Sequence, residues 1–118
     1  MNQLLTDYDE ILLKTAYRAL DEKFGIDIKI LDIRHISVMT DYFIITSGNN
    51  LNQIRSMADE VEIKLFNEGY KIRHSEGYQE AHWILLDFGH VMVHIFDKTN
   101  REFYDLERIW GDAYHITF

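Results

Sequence analysis

Two stretches of the chain repeat their apolar residues every three or four positions, which is the spacing of one helix face. The first lies within residues 5–24 and is followed by Gly25, which suits the left-handed position after a helix. The second covers residues 51–68, between the turn-forming Ser47-Gly48-Asn49-Asn50 and Gly69. We therefore predict two amphipathic helices. Their apolar residues are Leu13, Ala16, Tyr17, Leu20 and Phe24 in the first, and Leu51, Ile54, Met57, Ala58, Val61 and Leu65 in the second.

Runs of β-branched and aromatic residues predict strands outside these helices. Residues 26–33 alternate isoleucine with other residues, residues 42–46 form a second run, and residues 71–75 form a short third. The longest run covers residues 83–96 and reads Trp-Ile-Leu-Leu-Asp-Phe-Gly-His-Val-Met-Val-His-Ile-Phe. It predicts a β-hairpin that turns at Phe88-Gly89.

The end of the chain predicts a final short helix. Thr99-Asn-Arg-Glu102 has the pattern of a capping box, and Phe103, Leu106 and Trp110 follow at helical spacing. The predicted order is α-β-β-α-β-β-β-α, within one domain of residues 1–118. Three helices are too few to alternate with all five predicted strands, so some neighbouring strands must be antiparallel. We therefore expect a mixed five-stranded sheet in an α/β or α+β fold.

The predicted hairpin has two unlike faces. A two-residue loop at Phe88-Gly89 and a four-residue loop from Asp87 to His90 have the same centre, so both give the same pairing of the two strands. Residues that are paired across the strands lie on the same face of the hairpin. That register pairs Trp83 with His94, Leu85 with Met92, and Leu86 with Val91. One face is then wholly aliphatic and suits the core, with Ile84, Leu86, Val91, Val93 and Ile95. The other face carries Trp83, Leu85, Asp87, His90, Met92, His94 and Phe96. A three-residue loop would shift the register and mix the residues of the two faces.

The mixed face allows two interpretations. Large apolar groups beside ionisable ones are typical of a partner-binding patch, in which a tryptophan is a common anchor. Trp83 would be that anchor, with Asp87, His90 and His94 as the polar rim. Alternatively, the C-terminal helix with its aromatic residues covers this face as a second core layer. The pattern alone favours neither interpretation.

Composition narrows the function further. The 118 residues contain no cysteine, which excludes disulfides, zinc–thiolate sites and a thiol nucleophile. The net charge of −8 opposes binding to a phosphate backbone and favours a basic protein as partner. The first ten residues resemble no leader peptide, and no stretch approaches the length of a membrane span. We therefore expect a cytoplasmic protein that neither recognises nucleic acid directly nor binds a membrane.

Few residue combinations point to catalysis. The turn from Ser47 to Asn50 precedes a helix N-terminus that could hold an anion, but it lacks the glycines and lysine of a phosphate-binding loop. His90 and His94 would lie about 13 Å apart on a strand, too far to share one metal ion. Asp87 and His94 could form an acid–base pair, but no serine lies in a Gly-x-Ser-x-Gly sequence. We predict no metal, no cofactor and no enzymatic activity.

Five segments, which cover nearly the whole chain, carry a family likeness. They are Asp41-Tyr-Phe-Ile-Ile-Thr-Ser-Gly48, Glu76-Gly77, Trp83-Ile-Leu-Leu-Asp-Phe-Gly89, Val91-Met-Val-His-Ile-Phe96, and Arg101-Glu-Phe-Tyr-Asp-Leu-Glu107 with Trp110. In this order and spacing they resemble the Iojap/ribosomal silencing factor (RsfS) family. The resemblance implies a mixed sheet flanked by helices, similar to that of nucleotidyltransferases. Those enzymes place Gly-Ser before a strand with two carboxylates one residue apart. Here the order is Ser47-Gly48 and no Asp-x-Asp follows, which favours a non-catalytic protein.

The resemblance also implies a function. It implies binding to the large ribosomal subunit through ribosomal protein L-fourteen, so that the small subunit cannot dock and translation is repressed. The contact residues that it implies are Trp83, Leu85, Asp87, Phe88, Met92 and His94, with Trp83 as the anchor. His90, which we include in this surface, departs from the family, where an acidic residue is usual. Two alternatives stay open: a nucleotide-binding enzyme that uses the Ser47–Asn50 turn, and a homodimer of the free chain that pairs through the Trp83 face.

Overall fold

The strands form one mixed sheet in the computed structural model, which describes residues 4–118. They are β1 (Ile26–Asp32), β2 (Tyr42–Gly48), β3 (His74–Glu76), β4 (Trp83–Asp87), β5 (Val91–Asp97) and β6 (Tyr114–Ile116). Their order across the sheet is β3-β4-β5-β2-β1-β6. β2 and β5 are parallel neighbours, and the other neighbouring strands are antiparallel.

The mixed α/β fold is confirmed, but the predicted number of five strands is wrong, because the sheet has six. The missed strand, β6, has three residues, which are too few to show a recognisable alternation. Among the described residues, no helix is long and apolar enough to cross a membrane. The predicted domain includes residues 1–3, which lie outside the described part of the chain.

Both predicted amphipathic helices are present, as α1 (Asp7–Glu22) and α2 (Leu51–Asn67). Thr6 caps the start of α1, because its hydroxyl accepts a hydrogen bond from the Asp9 N–H at 3.1 Å. Gly69 follows α2 with φ +91°, as predicted for the residue after a helix.

The end of α1 differs from the prediction. The residue in the left-handed position is Phe24, with φ +63°, and not Gly25. Gly25 lies one position further on, where its N–H donates to the Leu20 carbonyl at 2.9 Å. A Cβ at Gly25 would lie 2.9 Å from the Thr46 hydroxyl oxygen. Glycine therefore allows the chain to approach β2 closely at this point.

α1 and α2 cover one face of the sheet, which we call the helix face. The sheet contributes a nearly continuous layer of aliphatic side chains and one tyrosine to this core. Its members are at most 2% exposed: Ile30, Tyr42, Ile44, Ile84, Leu86, Val91, Val93 and Ile95. The helices contribute Leu12, Leu13, Ala16, Leu20, Ile54, Met57, Val61 and Leu65. Burial of this apolar surface is the main force that stabilises the domain.

The opposite face, which we call the second face, carries a smaller core of Leu31, Ile33, Phe43, Ile45, Phe96 and Ala113. Two short helices, α3 (Lys98–Tyr104) and α4 (Leu106–Ile109), follow β5 and partly cover it. The single helix predicted here is broken at Asp105, which takes a left-handed conformation with φ +48°.

The start of α3 also corrects the sequence prediction. The cap is Asp97, whose carboxylate accepts a hydrogen bond from the Asn100 N–H at 2.7 Å, and not Thr99. The reason is that β5 runs directly into the helix, so the last residue of the strand is also the cap.

Candidate functional site

The hairpin of β4 and β5 lies at the centre of the predicted contact surface. Its cross-strand pairs include Trp83 with Phe96, Leu85 with His94, and Asp87 with Met92. The predicted register is therefore wrong by two residues. The loop consists of Gly89 and His90, and Gly89 takes the positive φ of +88° that such short loops require. A shift of two residues keeps every strand side chain on its predicted face, so the two faces of the hairpin are confirmed.

The predicted contact residues lie at three depths. Four of them are half-buried on the second face, and we call them the hairpin patch: Trp83, Leu85, Asp87 and Met92. His94 belongs to the same face but is only 4% exposed. Phe88 is 6% exposed and packs into the core of the helix face. His90 is exposed at the hairpin tip.

Trp83 is held from several sides. Its ring stacks on Phe96, with 4.9 Å between centroids, and Tyr104 of α3 lies 4.6 Å away. The indole Nε1–H donates a hydrogen bond to Nδ1 of His94 at 3.1 Å. These contacts fix the orientation of a large aromatic side chain that keeps part of its surface exposed.

His94 is neutral at physiological pH. Burial lowers the pKa of its imidazole to about 4, because the charged form loses its hydration there. Phe43 lies edge-on to the His94 ring, with 4.5 Å between centroids. Nδ1 accepts the bond from Trp83, whereas Nε2 is buried without a hydrogen-bond partner among the described residues.

The covering layer of the second interpretation is present over only part of the mixed face. Leu106 and Trp110 pack on the second core beside β1 and β2, and the rings of Trp110 and Phe43 lie 5.4 Å apart. Phe103, which the second interpretation placed in that layer, points outward and is 77% exposed. The C-terminal helices thus cover the middle of the second face and leave the hairpin patch half open.

Tyr104 is a residue of this surface that the sequence prediction missed. It is 41% exposed, lies beside Trp83, and is in contact with Phe103, whose ring is 5.1 Å away. The only sequence signal was a pair of consecutive aromatic residues at the end of a predicted helix. Helical spacing selected Phe103 for the buried side, but in the structure it is Tyr104, the last residue of α3, that lies against the Trp83 ring.

His90 at the hairpin tip is paired with an acidic residue. Its Nδ1 lies 2.9 Å from Oδ2 of Asp41, and its ring lies edge-on to Tyr8. The loop is also held by Asp87, whose carboxylate accepts a hydrogen bond from the Gly89 N–H at 2.7 Å. The His90 imidazole therefore has a carboxylate partner nearby.

The Ser47–Asn50 turn, considered above as an anion site, is occupied by side chains of the chain itself. Asn50 accepts a hydrogen bond from the Gln53 N–H at 2.8 Å, and Gln53 Oε1 accepts one from the Asn49 N–H at 2.6 Å. Arg101, a cation beside this turn, donates to Ser47 and to the Ile26 carbonyl. Two of the backbone donors that could hold an anion at this turn, and the Arg101 guanidinium, are therefore bonded within the chain.

No metal site is visible near these residues. Within residues 4–118, no group of three or more histidine, cysteine, aspartate or glutamate side chains could hold an ion. Asp87 and His94, considered above as an acid–base pair, are not cross-strand partners, since Asp87 pairs with Met92 and His94 with Leu85.

Comparison with known proteins identifies the family. A family model described as "Ribosomal silencing factor during starvation" matches residues 6–118. The chain is 42% identical over 102 residues to the ribosomal silencing factor RsfS of Bacillus subtilis, which covers 86% of each chain. It is 29% identical over 89 residues to a mouse protein named "Mitochondrial assembly of ribosomal large subunit protein 1", which covers 71% of this chain and 38% of that protein.

The fold is shared as well. A crystal structure of a protein from Chromobacterium violaceum superposes with a TM-score of 0.84 at 33% sequence identity, covering 86% of this chain and 85% of that one. The resemblance found in the five sequence segments is thus confirmed over most of the chain, and the protein belongs to the ribosomal silencing factor (RsfS) family.

Proposed function

We propose that this chain represses translation by binding the large ribosomal subunit through ribosomal protein L-fourteen, which blocks joining of the small subunit. The carrying observation is the hairpin patch, a half-exposed apolar surface centred on Trp83. Membership of the ribosomal silencing factor family supports a ribosome-directed role. The name of the mouse relative supports the large subunit as the target.

Trp83 has the properties of an interface anchor. Its stacking on Phe96 and its hydrogen bond to His94 hold the ring in one orientation before any partner binds. A side chain that is already ordered loses little conformational freedom on binding, so more of the contact energy appears as affinity. Removal of such an anchor typically costs at least about 2 kcal/mol of binding free energy.

The surroundings of Trp83 suit a basic protein. Leu85 and Met92 add apolar surface beside it, and Asp87 places a carboxylate at the edge. The whole chain carries a net charge of −8, which attracts a positively charged partner over a distance and raises the association rate.

Repression requires no chemistry in this proposal. The chain measures 37 × 33 × 24 Å along its principal axes. Two surfaces must approach within about 4.5 Å to make contacts, so a body of this thickness on the joining surface keeps the two subunits apart around it.

The test compares Trp83→Ala with Phe66→Ala in co-sedimentation with purified large ribosomal subunits. Phe66 is an exposed aromatic residue on α2, away from the hairpin patch, and serves as the matched control. We expect Trp83→Ala to weaken binding at least about thirtyfold and Phe66→Ala to leave it unchanged. Equal binding of Trp83→Ala and the wild-type chain would contradict the proposal.

Four further measurements separate the alternatives. Purified L-fourteen should bind the wild-type chain and not Trp83→Ala, and the wild-type chain should slow the joining of purified subunits. Titration with nucleoside triphosphates and magnesium tests the enzymatic alternative, which requires tight binding at the Ser47–Asn50 turn. The mass of the free chain in solution tests the homodimer.

A further inference from the structure

Ser47 and His94 are both buried polar residues of the second face, but they differ in their partners. Ser47 accepts a hydrogen bond from Arg101, whereas one ring nitrogen of His94 has no partner among residues 4–118. The neighbours of His94 carry no charge: Phe43 and Ile45 of β2, Leu85 of β4, and the rings of Trp83 and Phe96. An aliphatic or phenylalanine side chain would fill such a site without burying a nitrogen. The polar ring therefore needs a specific explanation.

The hydrogen bond to Trp83 fixes the tautomer of His94. An indole N–H can only donate, so Nδ1, which lies 3.1 Å from it, must be the unprotonated acceptor. In a neutral imidazole the proton is then on Nε2, the buried atom that finds no partner among residues 4–118. A buried donor without an acceptor opposes folding. The ring also places an acceptor, Nδ1, against the indole N–H of Trp83.

We propose that His94 is a positioning residue for the hairpin patch: its Nδ1 holds the Trp83 indole in the orientation that a partner protein binds. This role rests on the proposed function, in which Trp83 is the anchor. It replaces direct contact as the explanation for His94, since a side chain that is 4% exposed offers almost no surface to a partner. The partner surface that fits is an apolar socket for the ring, because the indole N–H is already bonded within the chain.

The first test is spectroscopic and needs no partner. In nitrogen-15 NMR of the full chain near pH 7, His94 should show an unprotonated Nδ1 and a protonated Nε2. The chain has only two tryptophans, so Trp110 provides an internal control. His94→Leu should move the indole N–H signal of Trp83 and speed its exchange with solvent, with a much smaller change at Trp110. A proton found on Nδ1 of the neutral ring would overturn the proposal.

The second test uses two variants of equal shape. His94→Asn retains an oxygen close to the position of Nδ1, whereas His94→Leu has the same branching and no acceptor. Large-subunit binding by His94→Leu should be about threefold to tenfold weaker, and His94→Asn should recover most of the loss. Ile45→Val is the control for a purely structural effect, because Ile45 is the fully buried neighbour of His94 on β2. It should lower stability without lowering the affinity of the folded protein.

The outcomes distinguish the two proposals. If Trp83→Ala loses binding but His94→Leu and His94→Asn bind as tightly as the wild-type chain, the positioning role is wrong and the proposed function stands. If His94→Leu and His94→Asn are weakened equally, the acceptor is not the cause and the positioning role is also wrong. If Trp83→Ala itself keeps full affinity, both proposals are wrong, although the tautomer measured by NMR would be unaffected.

Discussion

The two faces of the sheet are built from alternate residues of the same strands, yet they differ in how they are covered. The helix face is buried under α1 and α2 by apolar contacts. The second face is covered only in part, and neither α3 nor α4 contains a fully buried residue. Leu85 and Leu86 illustrate the difference, because these identical neighbours in β4 are half-buried and fully buried respectively. One face thus stabilises the domain, and the other keeps an apolar surface available.

The largest predicted effect uses this pair of leucines. Leu86→Ala should lower the free energy of unfolding by about 3 kcal/mol, because it opens a cavity in the core of the helix face. Leu85→Ala should lower the free energy of unfolding by about 1 kcal/mol, because the half-buried Leu85 side chain contributes less buried apolar surface than that of Leu86. Urea unfolding followed by circular dichroism measures both.

Binding to large ribosomal subunits should show the reverse order. Leu85→Ala should weaken the affinity of the folded protein, whereas Leu86→Ala should leave it unchanged at a temperature where the variant is folded. If Leu86→Ala had the weaker affinity, the assignment of stability to the helix face and of binding to the second face would be contradicted.

The second prediction concerns the pH dependence of stability. The folded-state pKa of His94, about 4, lies below the ordinary value of 6.5, so the unfolded chain takes up a proton in this range before the folded chain does. Protonation of His94 in the unfolded chain should therefore lower the free energy of unfolding as the pH falls from 6.5 to 4. The total loss should be about 3 kcal/mol relative to the value above pH 6.5.

The matched comparison is the wild-type chain against His94→Leu, with unfolding measured at several pH values. The other five histidines are exposed, and three of them are paired with carboxylates, so their contributions are common to both proteins and cancel in the difference. Parallel curves for the two proteins between pH 6.5 and 4 would show that His94 is not the buried neutral group described here.

The sequence predicted the faces of the hairpin more reliably than its register. Alternation assigns side chains to faces, and a register shifted by two residues leaves that assignment intact, so the pattern could not distinguish a loop at Phe88-Gly89 from one at Gly89-His90. The predicted register paired Trp83 directly with His94, whereas in the structure they are diagonal neighbours on the same face. The hydrogen bond between them depends on how the side chains pack across the strands, which alternation does not specify. The left-handed Asp105, which ends α3, carries no helix-stopping signal in the sequence.

The third prediction tests how the second face keeps its partial cover. Arg101 of α3 is 11% exposed in its side chain and donates to the carbonyls of Ile26 and Asp27 at 2.8 and 2.7 Å, and it pairs with Glu107 of α4. Arg101→Met keeps the aliphatic stem but removes every donor, and should lower the free energy of unfolding by about 2 kcal/mol. Arg108→Met is the control, because Arg108 is 83% exposed and its pair with Asp105 contributes little.

Arg101→Met also distinguishes detachment of α3 from the second face from global unfolding of the domain. Loss of the Arg101 hydrogen bonds should loosen α3, so that Tyr104 moves away from Trp83. The fluorescence of the tryptophans should then change before global unfolding begins. A single transition, with fluorescence and circular dichroism changing together, would show that α3 is held by its other contacts.

The smallest predicted effect lies at the hairpin tip. His90→Asp introduces the acidic residue that the family resemblance led us to expect at this position, but it places a second carboxylate beside Asp41, which lies 2.9 Å from the imidazole in the wild-type chain. Because both side chains are partly exposed, the lost attraction and the new repulsion should lower stability by only about 0.5 kcal/mol. The loss should shrink in high salt, and Asp41→Asn in the same chain should recover part of it, since screening and neutralisation both weaken the repulsion. Urea unfolding at two salt concentrations measures the effect. A loss that is independent of salt would mean that the imidazole acts through packing against Tyr8 and not through its pairing with Asp41.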